Sequence, residues 1–132
     1  MTILTLYLST ALVFLLLDGI VLTTVIAPIF RNALGDHMLE TPRIGPAAGF
    51  YLFYLAGLLW LVSWPALTHA APLQALLNGA ILGALAYGTY EITNLATLRR
   101  WRWNMVVADG LWGTVLTGVS AWAGVQITLW LA

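Results

Sequence analysis

Four long apolar runs fill most of this 132-residue chain: residues 3–29, 46–66, 73–97 and 104–131. Each supplies the ~20 residues that a helix needs to cross a bilayer. Inside hydrocarbon, every backbone N–H and C=O must be paired within the protein, which leaves helices or a closed barrel. The runs are continuous rather than alternating in polarity, so they do not read as barrel strands. Hydrophobic residues make up 61% of the chain and charged residues 8%, where a soluble domain carries about a quarter charged. A chain this short cannot fold so much apolar surface away from water, and the surplus must face lipid. The expected fold is all-α: one four-span domain, a four-helix transmembrane bundle. Short connections favour antiparallel neighbours and hence an up-down topology.

The breaks between the runs are chemically distinct. Pro28, Arg31 and the stretch TPRIGP separate the first from the second. WPALTHAAPL makes the next turn, and RRWRWN separates the last two. The chain has no lysine and no cysteine, and its five cations are arginines. Arg31 and Arg43 lie in the first connection; Arg99, Arg100 and Arg102 lie in the third. Positive charge concentrates on the cytoplasmic side of a membrane protein, so both termini are expected to be extracytoplasmic. The N-terminus lacks the positive n-region of a cleavable signal and runs past the usual apolar length; it reads as the first span.

Tryptophans fit that placement. Trp101 and Trp103 flank the arginine side, while Trp60, Trp64 and Trp130 fall near the opposite surface, as an aromatic belt would. Trp112 and Trp122 lie deeper, where they line a pocket or fill space between helices. Close helix packing is written into the last two runs. Gly79 and Gly83 form a small-xxx-small pair, and Gly110, Thr114, Thr117, Ala121 and Gly124 recur at helical spacing. Such residues let helix backbones approach within a membrane.

Three of the five acids sit inside the apolar runs: Asp18, Glu91 and Asp109. An ionisable group at that depth costs about 2.5–3.5 kcal/mol on insertion scales, and it usually faces the bundle interior at a site or pathway. At ~1.5 Å rise per residue, all three belong to the arginine-bearing half, with Glu91 and Asp109 at similar depth on consecutive antiparallel helices. Tyr87, Glu91 and Asn94 share one helical face, with Tyr90 beside it; the second run adds Tyr51 and Tyr54. The candidate ligand-binding or proton-coupling set is therefore Asp18, Tyr54, Tyr87, Tyr90, Glu91, Asn94, Asp109 and the wall residue Trp112. A hydrogen-bond network that only fixes helix register is the competing reading. No cation shares the depth of these acids, so at least one is expected to hold a proton at neutral pH, unless an arginine of the RRWR turn reaches down along apolar surface.

Other signals are weak. Asp36, His37 and Glu40 read as a solvated loop, so no metal site is expected, and His69 has no partner in sequence. No nucleophile elbow, phosphate loop, dinucleotide fingerprint or HExxH occurs. Nothing in the charge pattern suits a nucleic acid.

LDGIVLTTVIAPIFRNALG, FYLFYLAGL, AYGTYEITNLATLRRW and VVADGLWGTVL together resemble the DUF2177 family of small bacterial predicted membrane proteins, over nearly the whole chain. That family more often has aspartate where Glu91 stands, and a tryptophan soon after the first acid, where Gly19 and Ile20 follow Asp18 here. The resemblance implies a multi-pass protein of the bacterial inner membrane and a lipid or pigment context; it carries no activity and no cofactor with it. The function expected first is binding, extending to translocation, of a small lipophilic or weakly polar molecule in an intramembrane cavity. The alternatives are a membrane enzyme acting on a lipid-like substrate with Glu91 and Asp109 as acid and base, and an accessory subunit of a homo-oligomer or larger membrane complex.

Overall fold

The computed structural model describes residues 1–132 as an all-helical chain with four long helices and no strand. They are α1 (Thr2–His37), α2 (Ile44–Thr68), α3 (Pro72–Thr97) and α4 (Trp103–Leu131). By length and composition, α1, α2 and α4 can cross a membrane. α3 has the length, 26 residues, but Asn78, Glu91, Asn94 and its tyrosines and threonines make it less apolar than the others.

Two of the helices are not α-helical throughout. Leu22–Ile26 in α1 and Leu59–Ser63 in α2 are π-helical turns. A π turn spaces its hydrogen bonds one residue wider than an α turn and is uncommon outside functional or strained positions. α1 ends at Gly35, whose φ of +56° is open to glycine without steric cost, and Gly35–His37 closes the helix as a 3-10 turn. The Leu34 carbonyl left over at this end accepts a hydrogen bond from Arg100 Nη1 at 3.0 Å. The same guanidinium lies 3.5 Å from Asp36, so the first and third connections are clasped together.

The α2–α3 turn is built from the capping rules for a helix C-terminus. Ala70 takes φ +50°, the left-handed position that ends many helices. The Ala71 N–H reaches back to the Ala66 carbonyl at 2.9 Å, and the Ala70 N–H donates to Leu67. This is the paired bonding of a Schellman cap, and Pro72 follows it as the stop residue.

α4 is the central helix: it packs along α3 and along α1 and meets the C-terminal half of α2. Along α3 the contact is backbone to backbone. A Cβ placed on Gly79 would stand 3.0 Å from Gly118 Cα, and one on Gly118 would stand 2.8 Å from the Leu76 carbonyl. Gly79 and Gly83 face α4 as expected, and from the stripe expected there Thr117 and Ala121 meet them. Gly113 and Gly118, outside that stripe, make the backbone approach, while Gly110 meets nothing and Gly124 packs on Thr10 of α1.

α2 engages its neighbours mainly through its C-terminal half. Leu55, Leu58, Leu59, Val62 and Ala66 are buried with Leu6, Phe14, Leu116 and Val125 in one apolar core. Its first turns stand apart, with Ile44, Phe50 and Phe53 all more than 60% exposed. A smaller apolar cluster of Ala33, Trp101 and Met105 closes the arginine-bearing end. The buried acids lie between these two clusters.

Candidate functional site: a polar layer beside an apolar cleft

The register of α3 against α4 decides where the acids meet. A side chain on Gly113 would run into the Tyr87 ring, so these two residues oppose each other. One helical turn further toward the arginines, Glu91 on α3 must then oppose Asp109 on α4. The two carboxyls are close enough to interact directly. Glu91 is fully buried. Its Oε1 accepts a hydrogen bond from the Trp101 indole N–H at 2.8 Å, while Oε2 has no partner.

Asp18 is buried on α1 and accepts a hydrogen bond from the Trp112 indole at 3.1 Å. Tyr51 lies beside the same carboxyl. Each of these two acids is thus held by an indole donor from the arginine-bearing end or from α4. No such donor serves Asp109, which instead borders open space.

That space is a cleft of about 630 Å³. α1 contributes Leu22, Ile26, Ala27 and Phe30; the first connection contributes Met38 and Pro42. Phe50, Tyr51 and Tyr54 come from α2, and Ala86, Tyr87 and Tyr90 from α3. Asp109 is the only carboxyl in its wall. The cleft exists because the first turns of α2 stand apart from the bundle, and the π turn of α1 forms part of its side.

The aromatic side chains hold one another in place. Phe14 packs edge-on against Tyr51, with centroids 5.6 Å apart, and Tyr54 meets Tyr87 edge-on at 6.3 Å. The Tyr54 hydroxyl shares a 3.0 Å hydrogen bond with Thr117 on α4. Tyr90 stacks edge-on with Trp101 and lies near Asn94 on the next turn of α3.

The model of a family described as a predicted membrane protein, DUF2177, matches residues 3–126. The chain belongs to the DUF2177 family. No curated protein and no solved structure matches it. The DUF2177 match takes in all three buried acids and the whole cleft, and leaves Met1, Thr2 and the end of α4 outside.

Within this DUF2177 chain the eight candidate residues fall into three places. Tyr54, Tyr87, Tyr90 and Asp109 line the cleft. Glu91 lies behind Asp109, and Asp18 is tied to Trp112. Asn94 is half-buried beside Tyr90 and outside the cleft wall. Trp122 neither enters the core nor meets the acids; with Gln126 and Trp130 it borders a surface groove on α4.

Trp101 differs most from its expected role. Its place between arginines reads as an interfacial belt residue, yet the turn after α3 folds it inward. There it is 8% exposed, packs edge-on against Phe30 at 5.3 Å and closes over Glu91. Trp103, Trp60 and Trp130 are each at least 65% exposed, as belt residues should be. Met38 and Pro42 were also not legible as cleft residues, because nothing in a loop sequence tells which helices it folds beneath.

Proposed function

We propose that this protein binds a small lipophilic or weakly polar molecule in the cleft between α1, α2 and α3. The cleft itself carries the reading. Its volume of about 630 Å³ falls in the roughly 300–1,000 Å³ range of small-molecule sites. Its wall is mostly apolar, with a few polar groups converging from α2, α3 and α4, which is the usual composition of such sites. The exposed first turns of α2 leave the opening on the side of the bundle, so a ligand enters from lipid.

In this reading all four helices span the bacterial inner membrane, with the arginine-bearing connections in the cytoplasm and both termini outside. All five arginines lie at one end of the bundle, Arg31 in the last turns of α1 and the other four in the connections after α1 and α3. A reporter active only in the cytoplasm, fused in turn to each terminus, is expected to stay inactive at both; activity at both ends would reverse the orientation.

Binding is tested with an apolar photoreactive probe on protein in lipid nanodiscs. Labelling is expected to saturate on Leu22, Ile26, Phe50 and Tyr87. Ala86→Trp, which fills the cleft from a small wall residue, should reduce that labelling at least tenfold without lowering the melting temperature. Labelling spread evenly over the lipid-facing leucines, unchanged by Ala86→Trp, would remove the proposal.

The acid pair supports a second role for the same site. Glu91 Oε2 is buried without a donor and faces Asp109; one proton between the two carboxyls would complete the arrangement. Asp109 then connects that proton to the cleft, for coupling to ligand movement or for acid–base chemistry on a bound lipid-like molecule. Turnover of a bound substrate that ceases in both Glu91→Gln and Asp109→Asn would favour the enzyme over the binder.

A further inference from the structure

The cleft wall is unusual in what it combines. Six of its thirteen residues are aromatic: Phe30, Phe50, Tyr51, Tyr54, Tyr87 and Tyr90. Its one ionisable acid is Asp109, and it contains no arginine or histidine. Asp109 is 9% exposed and, unlike Asp18 and Glu91, receives no indole N–H.

The ionisable groups that act on Asp109 are all acids or phenols. From α3 they are Glu91, Tyr87 and Tyr90; from α1, Asp18; from α2, Tyr51. The arginine that folds back toward the bundle, Arg100, is committed to the Leu34 carbonyl and Asp36. The potential in the cleft is therefore set by carboxyl groups and by aromatic ring faces, and both attract positive charge. A cation over an aromatic face is attracted by the ring quadrupole, and more strongly when the pair is desolvated. Asp109 has another acid, Glu91, and no cation beside it, so a ligand that brings a positive charge is favoured there. An anion of the same shape would meet repulsion from the same groups, which is how a site discriminates by charge.

We infer that the ligand of this cleft is a lipophilic organic cation or amine, its charge against Asp109 and its apolar body among the aromatic rings. This rests on the cleft being a binding site and specifies the class of molecule it takes.

Two ions of matched shape and opposite charge test it. Unmodified protein in nanodiscs is titrated with tetraphenylphosphonium and, separately, with tetraphenylborate. The specific component of each is the part lost in Ala86→Trp. The phosphonium is expected to show a saturable specific component and the borate none. Asp109→Asn should weaken phosphonium binding at least tenfold, and Asp109→Glu should restore most of it. The comparison on unmodified protein holds even where the asparagine variant fails to fold. Equal specific components for both ions would overturn the inference about charge while leaving the cleft a binding site. No specific component for either ion, together with unsaturable labelling by the apolar probe, would overturn both.

Discussion

Replacing Gly83 with leucine is expected to force α3 away from α4 and to destabilise the protein by about 3 kcal/mol, the upper end of what overpacking costs. A Cβ alone at this position would stand 2.8 Å from Thr117 Cβ and 2.9 Å from its Oγ1, and would press on the Gly113 carbonyl. Rotation of Thr117 can relieve a methyl group, but the opposing Gly113 backbone cannot move aside in the same way. The damage should spread to the cleft, because Thr117 holds the Tyr54 hydroxyl. Gly88→Leu is the control: a Cβ there meets nothing within 4 Å, and its effect should be within about 0.5 kcal/mol, as for surface changes in general. Thermal melting in detergent compares the two. Equal melting temperatures would mean that the α3–α4 contact is not the seam that holds the bundle together.

Trp101→Ala should have an effect of similar size through a different route. It empties space beside Phe30, Met105 and Ala33, and buried tryptophan to alanine costs about 3–5 kcal/mol. It also removes the donor to Glu91 Oε1, leaving a fully buried carboxyl with neither oxygen served by an N–H. A buried polar group deprived of its partner costs about 1–3 kcal/mol more than one that is paired. Trp101→Phe isolates this second part, since it keeps most of the packing and drops the N–H. Combined with Glu91→Leu, it should recover much of the lost stability, because then no polar group is left waiting for a donor. A double-mutant cycle that returns no coupling between positions 101 and 91 would show that the hydrogen bond contributes nothing beyond packing.

The parts of the fold that rest on composition and spacing were legible in the sequence. Apolar run lengths give the helices, the Gly79/Gly83 pair gives α3's side of the seam with α4, and rise per residue sets Glu91 and Asp109 at matching depth. The same measure puts Asp18 deeper than these two but in the same half of the bundle. What could not be read is whatever depends on where a short connection folds or how a helix departs from ideal geometry. Trp101 sits in a sequence context that suits the interface, and only the path of the turn shows it closing over Glu91. The separation of α2's first turns follows from how little of its N-terminal half packs against α1, and the apolar sequence of that half looks no different from a packed one. Division of the acids into two that receive an indole N–H and one that borders the cleft likewise depends on rotamers and register, which residue types alone do not fix.

The π turn at Leu22–Ile26 changes how insertions and deletions in α1 should be understood. A widened turn accommodates one residue more than an α turn over the same stretch. Deleting a single residue there would return the helix to regular winding and keep every hydrogen-bonding group paired. The residues beyond it would keep their facing, because the widened turn already holds the surplus residue; adding one more would instead rotate everything beyond it by about 100°, the angle of one helical residue. Phe30 would swing off Trp101, Arg31 would change sides, and Leu34 would leave the reach of Arg100. Hydropathy and span length would barely register either change, yet the stretch of α1 between Asp18 and Phe30 should lose one residue at far lower cost than it gains one.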